Sequence, residues 1–459
     1  MPENDRKKLD HQDDFIDLNI QSGFMIEKIK ERPVNKKKLI RRTVTTAAMA
    51  VIFGLIACVT FLILEPVISN WLYPEEEPAQ IVFPEDQEEM APEDMLSESN
   101  PWGGEDDERV NIPLEPDQIQ EILSRVTLDK ENYKQIYSAL SAYVSELNHS
   151  MVTVMGVSSN LDWFNNVEES KNQSSGVIIA NNGRELLVLV DYTPLRRAES
   201  LTLSFTYLDN TGSSYQVGAE LKEMDVTSNL AVLSVNLSDL SEEMLREGGI
   251  AIAPLGSSNQ RSIVGTPVVA LGSPMGSSGS LGYGMITASA AQNSQADTNY
   301  KLLQTDIYGS PNAGGVLFNL QGQVIGVIVG QKANSDMKNM VTAYGITELK
   351  KSIEKMSNGE KIAYLGISGI DVSSEANDEL GVPYGAFVRE VAMNSPSMQA
   401  GIQQGDVITS FGQYSVRSYN DYITALMQAQ PGSGVELTVM RPAQGEYKEM
   451  KIRVTLTQR

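Results

Sequence analysis

Histidine is almost missing from this 459-residue chain: His11 and His149 are the whole supply. Any mechanism that needs an imidazole base, and any histidine-rich metal site, must draw on one of those two. Cysteine is scarcer still, with Cys58 alone. That count excludes an intramolecular disulfide and zinc or iron–sulfur sites built on cysteine, and neither a metal nor a cofactor is expected. Positive charge is also short, with Lys+Arg 36 against Asp+Glu 59 and a net charge of −23. Such a chain is not drawn to nucleic-acid phosphate, so nucleic acid is not an expected partner. At about 150 residues per domain, the length suggests roughly three units.

One long uncharged run is present. From Thr45 to Leu64 the sequence TTAAMAVIFGLIACVTFLIL carries no charge, and about 20 helical residues cross a hydrocarbon core roughly 30 Å thick. Some 40 residues precede the run and no A-x-A-like site follows it, which argues for a retained anchor rather than a cleaved signal. Lys36, Lys37, Lys38, Arg41 and Arg42 lie before it and Glu75, Glu76 and Glu77 after it. The positive-inside rule then predicts a cytoplasmic tail at 1–42, a membrane helix at 43–65 and the bulk of the chain outside the cytoplasm. Pro74 to Asp117 holds sixteen acidic groups and one basic residue, Arg109, so 66–128 reads as an acidic, self-repelling tether. Tyr133, Ile136, Tyr137, Leu140, Tyr143, Val144 and Leu147 then recur at three- and four-residue intervals, predicting an amphipathic helix. Its apolar face packs on the following domain or on another subunit.

Beyond Met151 the texture changes to short alternating or apolar runs broken by Gly, Asn and Ser: MVTVMGV, SGVIIA, LLVLV, LTLSFTYL, LAVLSV, TPVVALG, YGMITAS and VIGVIVG. Regular, turn-bounded strands of this kind predict a mainly β domain of sandwich or barrel type. After Asn358-Gly359 a second unit begins. Its strands fall near Tyr364, Ala386 and Val407, around Val435 to Arg441 and around Met450 to Leu456, with a helix near Tyr419 to Gln430.

In this order the segments resemble the HtrA/DegP family of trypsin-like serine proteases. SSGVIIANNGRELLVLVD, SNLAVLSV, VVALGSPMG and TDIYGSPNAGGVLFNLQGQVIGV each resemble a family string in register. The resemblance implies a trypsin-like double β-barrel over 129–357, preceded by one transmembrane helix and followed by a PDZ domain of α+β type over 361–459. It also implies where a catalytic triad would stand. The nucleophilic serine of GNSGG falls on Ala313. The histidine of TNNHV falls on Asp191 or within a residue of it, and no histidine occurs from 150 to 459. The triad aspartate falls on Asn229. A serine hydroxyl is a weak nucleophile without its base, so a degenerate catalytic apparatus is expected. The family's oxyanion hole uses the N–H of the nucleophile and that of the residue two before it. The latter position is Pro311, which has no N–H to give. An unconventional enzyme that pairs Ser310 or Ser273 with Lys301 or Lys332 stays open as an alternative.

The second unit resembles the family's PDZ domain. Tyr364-Leu365-Gly366-Ile367 matches the carboxylate-binding loop, Ser395 to Val416 matches the segment behind it, and SYNDYITALMQAQPG matches the groove helix. In this mode, successive N–H groups hold a terminal carboxylate while the next strand takes the peptide as an added strand. Tyr364 stands where glycine is frequent and narrows the loop. Ile423 and Leu426 are read either as the pocket floor or as plain domain core. The expected partners are peptides or protein C-termini, with HtrA-family paralogues or a self-trimer implied by the resemblance. The expected role is an extracytoplasmic adaptor, sensor or chaperone-like holder. The alternatives are a regulatory subunit of an active HtrA protease and an active serine-type endopeptidase.

Overall fold

A computed structural model of the chain describes residues 36–72, 78–86, 130–161, 167–205, 215–246, 249–260, 262–291, 295–330, 339–443 and 445–459. The chain divides into two units, Met1–Glu77 and Pro78–Arg459. In the first, helix α1 spans Lys36–Leu72. Its segment Ile40–Phe61 has mean hydropathy 2.2 with no part of it buried, and its 22 residues rise about 33 Å at ~1.5 Å each. It is therefore long and apolar enough to cross a membrane. The hydroxyls of Thr45 and Thr60 donate to carbonyls one turn back, at Arg41 and Ile56, so these polar groups are satisfied within the helix. Residues 1–35 of the expected tail lie outside the described residues.

The second unit begins with two closed barrels. Strands β1 (Met151–Leu161), β2 (Val167–Asn181), β3 (Glu185–Asp191), β4 (Ser200–Phe205), β5 (Tyr215–Asp225) and β6 (Leu230–Asn236) pair in the order β1-β2-β3-β6-β5-β4. Strands β7 (Pro267–Ser273), β8 (Ser280–Ala291), β9 (Lys301–Tyr308), β10 (Gly314–Phe318), β11 (Val324–Ile328) and β12 (Met340–Gly345) close as β10-β11-β12-β9-β8-β7. The apolar runs explain themselves here. The five central residues of β3, Leu186 to Val190, are all buried, because Leu186, Val188 and Val190 fill the first barrel while Leu187 and Leu189 face a shared core outside it. Strands buried on both faces lose alternation and read as continuous hydrophobic runs.

That shared core joins the barrels to the C-terminal PDZ sheet. It runs from Leu187, Leu189, Leu271 and Phe318 through Leu349, Ile353 and Met356 of helix α3 (Ile346–Ser357) to Leu365, Ile367 and Leu426. In the PDZ domain, β14 (Ile367–Asp371), β15 (Ala386–Val391), β16 (Val407–Phe411), β18 (Gly434–Ala443) and β19 (Glu446–Thr455) form one sheet, with β17 (Tyr414–Ser415) on β16. Strand β13 (Ala363–Tyr364) pairs separately with β20 (Thr457–Gln458). Helix α4 (Tyr419–Gln428) starts at a capping box in which Ser418 accepts from the Asp421 N–H and Asp421 accepts from Ser418.

Helix α2 (Lys130–Leu147) buries Val144 and Leu147, and Tyr143 donates to the Asn319 carbonyl. Tyr133, Ile136 and Tyr137 of the same stripe stay exposed, so among the described residues its first half is uncovered.

The tether expectation for 66–128 needs correction. Helix α1 continues to Leu72, and residues 78–86 lie along α3 as a strap, while 73–77 and 87–128 lie outside the described residues. Ile81 exchanges two hydrogen bonds with the Asn358 side chain at 2.9 and 2.8 Å, and the Phe83 ring enters the core. Asp86 meets the largely buried Lys350 at 2.5 Å and accepts from Ser257 and Thr347. Burial raises the Asp86 carboxyl, but Lys350 and the two hydroxyls outweigh it and hold the group below its ordinary value. The strap's attachment is therefore complete above about pH 4 and is lost as pH falls through the depressed value. Asp86→Ala strands the Lys350 ammonium on the Pro84 carbonyl and is expected to free the strap. The check is limited proteolysis at neutral pH, where cleavage near 78–86 should accelerate several-fold; an unchanged rate refutes the anchoring role.

Candidate functional site

The two barrels meet around a cavity of about 520 Å³ whose lining includes Asp191, Asn229, Pro311 and Ala313, the four positions to which the sequence resemblance assigns a triad and an oxyanion donor. Asp191 ends β3. Its carboxylate accepts from the Thr193 N–H at 2.8 Å, starting a short turn. Asn229 sits in the left-handed region at φ 61, which asparagine tolerates better than most residues, and its side-chain oxygen accepts from Arg196.

Ala313, which the resemblance places at the nucleophile, is enclosed in two ways. Ala313 is buried with the core of the second barrel, and its N–H donates to the Ser310 carbonyl at 3.0 Å. The Asn312 N–H turns to the Ser310 hydroxyl. With Pro311 lacking an N–H, none of these three residues offers a free donor to an oxyanion. That turn is not legible in the sequence.

The open alternative of a Ser–Lys pair finds no geometry among the described residues. Ser273 accepts from the Ser175 hydroxyl at 3.3 Å, whereas Lys301 lies near Glu348 and donates to Asn259. Lys332 lies outside the described residues. His149 places Nδ1 2.6 Å from the Gly249 carbonyl and does not line the cavity. No cluster of three or more His, Cys, Asp or Glu suited to a metal occurs among the described residues.

The second site is the loop between β13 and β14. The N–H groups of Leu365, Gly366 and Ile367 converge on one carboxylate, and it belongs to Asp297. Asp297 Oδ2 accepts from Leu365 and Gly366, both at 2.7 Å, and Oδ1 accepts from Ile367 at 3.1 Å and from the Tyr422 hydroxyl at 2.5 Å. The Asp297 N–H donates to the Ile367 carbonyl at 2.7 Å. Complete burial pushes the Asp297 carboxyl above the usual range, against the pull of its four donors. Nothing in the local sequence QADTNY marks Asp297 for this position.

The convergence of three N–H groups depends on Gly366, at φ +91, where a Cβ would collide with Ser395 Cβ and lie 3.1 Å from the Tyr364 hydroxyl. Tyr364 thus closes over the loop. Gly366→Ala is expected to lower stability by about 2 kcal/mol through backbone strain and that clash, read as an earlier denaturation midpoint; an unshifted midpoint refutes the close packing. Leu426 lies wholly in the core. Ile423 is nearly buried and lines a separate cavity of about 580 Å³ bounded by α3, α4 and the strap.

A third cluster ties the two sites together. Arg459 holds the buried Asp225 side-on, Nε to Oδ1 at 2.7 Å and Nη2 to Oδ2 at 2.6 Å, and donates Nη1 to the Asp297 carbonyl at 2.8 Å. Asp225 in turn accepts from Thr227 and Ser228, on the turn that carries Asn229 into the cleft.

Two six-stranded barrels with a cleft between them, followed by a PDZ sheet, define a trypsin-like peptidase scaffold with an appended peptide-recognition domain. Residues 174–327 match the trypsin-like peptidase domain family and residues 363–456 the PDZ domain family. The chain is 28% identical over 303 residues to the serine protease Do-like HtrA of Lactococcus lactis subsp. lactis, covering 61% of this chain and 70% of that protein. It is 30% identical over 295 residues to a probable periplasmic serine endoprotease, DegP-like, of Rickettsia prowazekii, covering 61% of this chain and about half (52%) of that one. A solved HtrA-type protease, AlgW with decapeptide, aligns at 19% identity and TM-score 0.48 over 69% of this chain and 98% of that one. The chain thus joins a trypsin-like peptidase domain to a PDZ domain, and it is similar to serine proteases of the HtrA and DegP type.

Proposed function

We propose that this chain is a membrane-anchored HtrA-like pseudoprotease that acts outside the cytoplasm as an adaptor, sensor or chaperone-like holder, binding peptides or protein C-termini through its PDZ domain. The observation that carries the reading is the turn at Ser310–Ala313, where the nucleophile position is an alanine whose N–H is spent on a carbonyl. Asp191 and Asn229 supply neither an imidazole nor a triad carboxylate around it. Helix α1 supports the anchor by length and apolarity, and the periplasmic description of the Rickettsia relative fits an extracytoplasmic bulk. The loop at Leu365–Ile367 supports carboxylate recognition, because it already holds one.

A second reading, association with copies of itself or with an active HtrA paralogue that it regulates, is favoured by the exposed Tyr133, Ile136 and Tyr137 of α2.

The test uses the full chain in detergent micelles, with a fluorophosphonate probe, fluorescent casein and a library of peptides bearing free C-termini. The expected result is no labelling, no cleavage and retention of a subset of peptides. Enzyme-dependent cleavage sinks the pseudoprotease reading, and a library with no retained peptide in any variant sinks the binding reading.

A further inference from the structure

Asp297 presents to the loop the same groups that a peptide terminus would present. A terminal residue offers a carboxylate to the loop N–H groups and an N–H to the first carbonyl of the receptor strand. Asp297 offers its side-chain carboxylate to Leu365, Gly366 and Ile367 and its own N–H to the Ile367 carbonyl. All three loop donors are consumed, and Ile367 O also accepts from the Tyr419 hydroxyl at 3.0 Å. Strand β14 is an edge strand, paired with β15 on one side, and on its other side both polar groups of Ile367 are already taken.

The occupant is held with some effort. Asp297 is completely buried with φ 57, a left-handed backbone that residues with a Cβ adopt less readily than glycine. Arg459 grips its carbonyl, Tyr422 its carboxylate, and Asn299 reaches the Asn420 side chain at 2.7 Å at the start of α4. A segment whose carboxylate and N–H occupy the groups a ligand needs is a stored competitor, and Arg459, Tyr422 and Asn420 hold it in place.

We propose that residues 295–299 are a built-in ligand of the PDZ carboxylate loop, so that a peptide C-terminus binds by displacing Asp297. The proposal rests on reading Leu365–Ile367 as the peptide-binding loop, and it adds the regulation of that site. Binding is exclusive because one set of three N–H groups cannot serve two carboxylates, and the apparent affinity of any peptide is reduced by the fraction of molecules in which Asp297 has left.

The test compares the full chain with Asp297→Ala, which removes the internal carboxylate, and Tyr422→Phe, which removes one of its donors without touching the loop. The probe is the peptide library with free C-termini, run beside the same peptides amidated. Asp297→Ala is expected to tighten binding of free-acid peptides at least tenfold and Tyr422→Phe severalfold, with amidated peptides unchanged. Amide hydrogen exchange at Leu365, Gly366 and Ile367, which needs no peptide, is expected to be slow in the wild type and accelerated in Asp297→Ala. Equal free-acid affinity in all three proteins overturns the competitor role while leaving the PDZ reading intact. Fast exchange of those amides in the wild type overturns the internal contact itself. Accelerated exchange in Asp297→Ala with no peptide retained by any variant overturns both the competitor role and the peptide-binding reading, and the exchange data separate that result from simple misfolding.

Discussion

Arg459→Met is expected to destabilise the 78–459 unit by about 3–5 kcal/mol, the usual effect of removing one partner from a buried ion pair. Arg459 and Asp225 have fully buried side chains, so the carboxylate left behind keeps Thr227, Ser228 and Tyr300 as donors but loses its cationic partner. At ~2.1 cal/mol/K of unfolding entropy per residue, for a unit of this size the shift corresponds to an apparent unfolding midpoint lower by roughly 4–6 °C. Asp225→Asn strands the guanidinium instead and is expected to act in the same direction. The double variant should recover part of the loss, because neither charge is then buried alone.

The pH dependence separates this pair from a packing effect. Burial alone raises the Asp225 carboxyl, but Arg459 outweighs it and the group titrates below its ordinary value. Its unfolded value is about 3.9, so the pair's stabilisation is complete above about pH 4 and is lost as pH falls through the depressed folded value. In Arg459→Met the same carboxyl, desolvated and uncompensated, protonates readily. The gap between wild type and variant should be largest near neutral pH and should shrink toward pH 3. A gap that is constant with pH, measured by circular dichroism melts, would mean that Arg459 contributes packing and not charge.

The residues that form this network explain what can and cannot be read from sequence. Strands whose side chains face a core on both sides, such as β3 and β6, announce themselves as apolar runs. So do the periodic α2 and the capped α4. Strand β5 is hard to see in the sequence because most of its residues are exposed or half-buried and its alternation is weak. Strands β9, β10 and β12 are hidden as well, each adjoining a loop or a glycine pair that masks its short run. The strap reads as tether because Ile81 and Phe83 are isolated among acids, and their partners lie more than 270 positions away. Asp297 and Arg459 are the extreme case. Each is a single charged residue whose meaning comes from groups 69 and 234 positions distant, respectively, and no local pattern encodes such a contact. The positions that the resemblance assigns to a triad are legible for the opposite reason, since a fixed local string surrounds each of them.

That legibility makes the largest activity prediction possible. Asp191→His, Asn229→Asp, Pro311→Gly and Ala313→Ser together return base, orienting carboxylate, oxyanion donor and nucleophile to one cavity. The structure adds a condition that the strings do not contain. Arg196 already donates to the Asn229 side-chain oxygen, and a carboxylate introduced at that position will pair with the guanidinium before it orients an imidazole. The quadruple variant is therefore expected to remain nearly silent, and the addition of Arg196→Ala is expected to switch on fluorophosphonate labelling and casein cleavage. Reverting Pro311→Gly alone should then lower the rate by about a hundred- to a thousandfold, the usual effect of one missing oxyanion donor. Glycine supplies the N–H that proline lacks, so the loss should fall on kcat more than on KM, since an oxyanion forms only along the reaction. A five-substitution variant that folds like the wild type but neither labels nor cleaves would show that the Ser310–Ala313 turn is fixed by its surroundings, and that the scaffold lost its catalytic geometry along with its catalytic residues.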